Sequence, residues 1–183
     1  MSDVIVKSRR AAREAAFQAV YQCSCGGSSI SVAIDEALSR QTFSDEAAAF
    51  VRELANGAVT SVIELDSRYS PFLKPGWTPT RLALIDRLLL RLAVFELWFM
   101  SGVPPKVTIT EAVNLAKRFG TADSGPFING VLGRVLEVSP KAEWTGEAAE
   151  EVGAAVVSPG IDGPEVIEEE VEQDAAWTIS SDE

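Results

Sequence analysis

Histidine is absent from the 183 residues. Without an imidazole, a zinc site would need carboxylates in a pattern the sequence does not display, and a thiol would have no histidine base to activate it. Cysteine occurs only as Cys23 and Cys25. Two residues are too few for a disulfide framework, and this spacing is poor geometry for a bridge within a helix, so two free thiols are expected. An early apolar run with a small-residue cleavage site is also missing. The N-terminus goes straight into Lys7, Arg9, Arg10 and Arg13, which predicts a cytoplasmic protein. After residue 140 there is neither a G-x-G-x-x-G loop nor strand and helix alternation to hold one. A cofactor is therefore not expected, and neither is an enzyme.

Positive charge is missing from residues 142–183, which hold 13 acidic residues and no Lys or Arg. The net charge of −11 thus misleads, because the first 141 residues carry 16 basic against 14 acidic side chains. The body is mildly basic and the tail strongly acidic, a polarity that bears on partners. Gly and Pro punctuation and the EVIEEEVEQD run predict that residues 141–183 are disordered.

Residues 82–100, LALIDRLLLRLAVFELWFM, contain no Gly or Pro and only four charges, Asp86, Arg87, Arg91 and Glu96. At about 100° per residue these charges share no face, so apolar side chains point in almost every direction between them. The pattern predicts a hub helix packed on several sides. Four ionisable groups argue against a membrane span of similar length.

The other segments also read as helices. Residues 8–23 are rich in good helix formers, with Ser8 as N-cap and Arg9, Arg10 and Arg13 near the first turn. Arg10 and Tyr21 lie within about 20° of each other around the axis. Guanidinium groups with an aromatic on the same side suit RNA, although a solvated helix start with a core tyrosine has the same pattern. Residues 30–41 form a short amphipathic helix. Ser44 caps a longer one over 45–69, with a core stripe of Phe50, Val51, Leu54, Ala58, Val62 and Leu65. Residues 70–79 are a Pro- and Gly-punctuated connection between two helical halves. Residues 105–119 form a helix with Thr108 and Glu111 spaced as an alternative cap, and Asp123 or Ser124 caps the last helix. Trp98 and Phe99 are either core or a homodimer contact. The expected organisation is a flexible 1–7, helical subdomains over 8–73 and 74–140 that share the hub, and the tail 141–183.

Taken in order, the Arg-rich first helix, IDRLLLRLAVFEL, VPPKVTITEAVNLAKRFG and DSGPFINGVLGRVL resemble the NusB family of bacterial transcription antitermination factors. The likeness covers residues 8–137. It implies an all-α fold of two three-helix bundles. It also implies binding of boxA-type single-stranded RNA together with the small-subunit ribosomal protein that acts as NusE, in a complex loaded on RNA polymerase during rRNA transcription. Residue by residue, the resemblance makes Arg9, Arg10 and Arg13 phosphate contacts and Tyr21 and Phe127 aromatic contacts near bases. Asp123 falls in an acidic loop near the RNA, and Asp86 with Arg87 falls on the partner face. Lys106 and Glu111 receive a structural role, and Asn129 a backbone cap inside the bundle. Thr108, Thr110, Gly133 and the acidic tail depart from the family pattern. The tail is either an electrostatic competitor of RNA for the Arg helix or a solubilising appendage. The alternatives in other classes are a protein-interaction module without RNA, and the helical accessory domain of an RNA cytosine methyltransferase.

Overall fold

The computed structural model describes residues 5–144. Among them are seven α-helices: α1 (Arg9–Ser24), α2 (Ile30–Ser39), α3 (Asp45–Thr60), α4 (Val62–Tyr69), α5 (Leu84–Phe99), α6 (Pro105–Phe119) and α7 (Ser124–Glu137). Short 3-10 turns occupy Ser70–Phe72 and Pro79–Arg81. Three helices open on a serine whose Oγ accepts a backbone N–H: Ser8 from Ala11, Ser29 from Val32 and Ser44 from Ala47. Each satisfies a donor that a helix start leaves without an intrahelical acceptor, a contribution of about 1 kcal/mol.

Helices α1, α2 and α3 pack on one another, as do α5, α6 and α7, and α5 also touches α1, α3 and α4. The hub is therefore a helix common to both bundles. Leu88, Leu89, Leu90, Leu92 and Leu97 are all buried on it, each contributing about 1.5–3 kcal/mol relative to exposure. Its four charges leave in different directions. Asp86 faces a groove, Arg87 donates to the Pro79 carbonyl, Arg91 pairs with Asp66 of α4, and Glu96 pairs with Arg13 of α1. Among the described residues no helix is long and apolar enough to cross a membrane.

The single helix expected over 45–69 is two. The chain turns at Ser61 (φ −105°, ψ 24°), whose N–H still reaches the Gly57 carbonyl at 3.1 Å. The apolar stripe survives the break, with Leu54, Ala58 and Leu65 all buried, so periodicity alone carries no sign of it. Beyond Ser61, α4 is redirected onto α5 and α7, where Tyr69 and Arg91 both bond to the Asp66 carboxylate.

Both expected terminal boundaries move. Val6 forms a parallel bridge with Phe43, its N–H donating to Thr42 and its carbonyl accepting from Ser44, so the N-terminal segment is tied down from this residue. At the other end Lys141 is buried, although the tail was expected to begin there. Its Nζ donates to the carbonyls of Glu96, Met100 and Val103 at 3.0, 2.6 and 2.7 Å. Glu96 and Met100 lie at the α5 C-terminus and Val103 in the turn that follows, so the ammonium adds a donor to carbonyls that the backbone serves at most once, and a cation there suits the helix dipole. Burial pushes the Lys141 ammonium below its ordinary pKa, opposed by Glu96 and reinforced by Arg13. The remainder of the expected acidic tail lies outside the described residues.

Candidate nucleic-acid interface

The α1 arginines, alike in sequence, have three different fates. Arg9 is exposed, with its guanidinium carbon 5.2 Å from the centre of the Phe50 ring. Arg10 is exposed as well, while its Nε and Nη2 grip the Glu111 carboxylate of α6 at 2.9 and 2.8 Å. Arg13 is buried at 5% exposure, and its Nε donates to Glu96 Oε2 at 2.9 Å. Thr108 Oγ1 donates to the same carboxylate at 2.8 Å. The expectation that Arg13 contacts phosphate is therefore corrected, since its donors face a carboxylate inside the protein. Thr108 and Glu111 do not form the expected cap either, because each is engaged by a group from another helix.

A polar ladder continues down the exposed side of α1. Glu14 pairs with Arg118 of α6, Gln18 accepts from Arg40 Nη1 at 3.0 Å, and Tyr21 follows with 40% of its surface exposed. Interaction with the Cys25 thiol holds the Tyr21 phenol above its ordinary pKa. Below Tyr21, Phe17 and Phe119 pack with centroids 5.1 Å apart and their planes tilted by 39°. An open hollow of about 480 Å³ is lined by these three rings with Gln18, Gln22, Arg40 and Ile85. Arg10 and Tyr21 thus share the side that their spacing predicts. The sequence reading did not single out Arg40, Arg118 or Phe119. Arg118 and Phe119 belong to α6 and Arg40 caps the C-terminal end of α2, so no periodicity within α1 signals them.

Asp86, Asp123 and Phe127 come together elsewhere, in a groove of about 820 Å³. Leu82 and Ala83 of the α5 approach form one wall, and Phe127, Gly130 and Val131 of α7 form another. Trp77, exposed at 49%, and Phe72 provide aromatic surface, with Arg81 and Arg134 set against those two rings. Asp123 is exposed at the α7 N-cap position and makes no capping bond with its side chain. The turn is held instead by Ser124, whose Oγ accepts the Thr121 N–H at 3.0 Å. Asp86 Oδ1 is buried with no hydrogen-bond partner among the described residues. Arg87 is half-buried but does not line this groove. Asn129, expected inside the bundle, is exposed, and so is Phe99, while Trp98 is half-buried under Arg68.

The α5 start divides the two concavities, with Ile85 facing the aromatic hollow and Ala83 and Asp86 the groove. This is the architecture of an all-helical binding module, in which two dissimilar surfaces are held at fixed relation by one hub helix. The NusB family model matches residues 10–137, and the chain belongs to that family of transcription antitermination factors, which are not enzymes. It is 41% identical over 130 residues to the transcription antitermination protein NusB of Halalkalibacterium halodurans, spanning 71% of this chain and 94% of the relative. Among solved structures, T. maritima NusB aligns with a TM-score of 0.68 at 34% identity, covering 75% of this chain and 98% of that one. A structure of antitermination factors NusB and NusE in complex with dsRNA aligns with a TM-score of 0.64 at 28% identity, covering 70% and 96%.

Proposed function

We propose that the chain is an RNA- and protein-binding adaptor of the cytoplasm. In this reading it binds boxA-type single-stranded RNA together with the ribosomal protein that acts as NusE, and joins an antitermination complex on RNA polymerase during rRNA transcription. The observation that carries the reading is the exposed side of α1, where Arg9 and Arg10 precede Tyr21 beside an aromatic hollow. Guanidinium groups contribute salt-sensitive, largely sequence-blind affinity for phosphates, and rings accept unstacked bases. Arg10 remains a phosphate ligand despite its pairing, because Glu111 engages only part of its five-donor fork. The groove with Asp86, Asp123 and Phe127 suits the protein partner, since its apolar walls surround an unpartnered buried carboxylate oxygen that a donor from another chain can satisfy. The solved relative in complex with NusE and dsRNA supports the coarser part of the reading, RNA and NusE as partners, while boxA and a single strand rest on the α1 surface.

Fluorescence anisotropy of a labelled boxA-type RNA, with and without the ribosomal protein, tests it. Partner and boxA sequence are each expected to tighten binding, and Arg10→Gln to weaken it. The variant should also reduce the slope of log affinity against log salt by about 0.7, the share of one phosphate contact on a single strand. Equal affinity for boxA and scrambled RNA in the presence of partner would overturn the RNA reading.

A further inference from the structure

Arg40 lines two concavities at once. On one side is the aromatic hollow with Tyr21 and Phe119, and on the other an open polar pocket of about 700 Å³ between the α2 end and α3. The second pocket is lined by Ser39, Gln41, Thr42, Phe43 and Arg52, among others. Neither concavity is lined by a carboxylate, whereas the large groove has Asp86 and Asp123 in its wall. Arg40 and Arg52 are both exposed, and neither forms an ion pair among the described residues. Gln18 holds Arg40 in place through one Nη1 bond and neutralises none of its charge. Most surface arginines of this chain are engaged otherwise: Arg10, Arg68 and Arg118 by carboxylates, and Arg81 and Arg134 by carbonyl oxygens and rings.

We propose that Arg40 and Arg52 form a second stretch of phosphate track, which carries a single-stranded RNA from the Tyr21 hollow across the α2 end onto α3. Two guanidinium groups without competing carboxylates, beside hydroxyl and amide side chains, match the chemistry of a sugar-phosphate backbone. A base stacked in the aromatic hollow puts its own phosphate at the rim that Arg40 occupies, and Arg52 receives the strand beyond it. The track lengthens the footprint past the α1 arginines and adds affinity with no sequence preference of its own. It rests on the reading of α1 and Tyr21 as an RNA-binding surface.

The test uses the full chain with Arg40→Gln and Arg52→Gln, singly and combined, and Arg68→Gln on α4 as a control matched in charge to each single variant. A labelled boxA-type RNA is titrated at several salt concentrations, and polyglutamate is titrated as an acidic-peptide probe. Thermal melts verify that the variants fold, as exposed sites permit. The expected result is a salt slope shallower than wild type by about 0.7 for each of the two arginines, with Arg68→Gln at the wild-type slope and boxA preference over scrambled RNA retained. A wild-type slope in the double variant overturns the track while leaving the α1 surface standing. Loss of polyglutamate binding without any loss of RNA binding overturns it in favour of an acidic protein ligand. Failure of the wild-type chain to bind RNA removes the reading on which the track rests.

Discussion

Tyr69 is fully buried, and its hydroxyl donates to Asp66 Oδ1 at 2.8 Å. Burial, the Asp66 hydrogen bond and the Asp66 charge all raise its pKa well above the ordinary value, opposed by Arg91 and Arg87. A folded-state pKa above the unfolded value means that the neutral phenol's contribution to stability is complete below about pH 10 and is lost as pH rises beyond it. Chemical denaturation from pH 9 to 11 is expected to show a steeper loss for wild type than for Tyr69→Phe, and parallel profiles would refute the assignment. At this scale the sequence was a partial guide. Arg10 and Tyr21 were recognisable from their shared helical face, but Arg13 has the same side chain one turn further on. Only Glu96, 83 positions away, decides that Arg13 is core. Removing one partner of such a buried pair costs about 3–5 kcal/mol, so its role is structural whatever its neighbours do.

At the scale of elements, the hub and the α3–α4 break are two sides of one packing problem. Gly57 sits where α3 meets α5, and a Cβ built there would lie 2.0 Å from the Phe95 ring. In an open helix Gly→Ala gains about 1 kcal/mol. Here overpacking at about 1–3 kcal/mol outweighs that gain. Gly57→Ala is therefore expected to lower the melting temperature, and pairing it with Phe95→Leu to cost less than the sum of the two single changes. A stabilised Gly57→Ala would show that the helices are not in this contact. The hub itself was legible because its four charges around a leucine-rich axis admit no single polar face. The kink at Ser61 was not, because the 50, 54, 58, 65 spacing continues through it, and the turn is dictated by surfaces of α5 and α7 distant in sequence.

For the molecule as a whole, Lys141 closes the C-terminal end of the hub, and chain composition misplaced it in the tail. A chain ending after Pro140 is expected to melt below one ending after Trp144, since the shorter form leaves three carbonyls without their ammonium donor. Equal melting temperatures would count against the clasp. The same comparison fixes where a tail deletion must be cut before its effect on RNA binding is interpreted. By itself the sequence determined the all-helical class, the hub, most helix limits and the separation of basic body from acidic tail. Each of these follows from local propensity, periodicity or composition, which neighbouring residues along the chain suffice to express. The tertiary structure alone decided which arginine is buried, which carboxylates gather around one groove, and that Arg40 stands between two concavities. Those outcomes depend on which side chains from different helices meet, and on whether a charge finds an opposite charge or solvent at the place where folding leaves it.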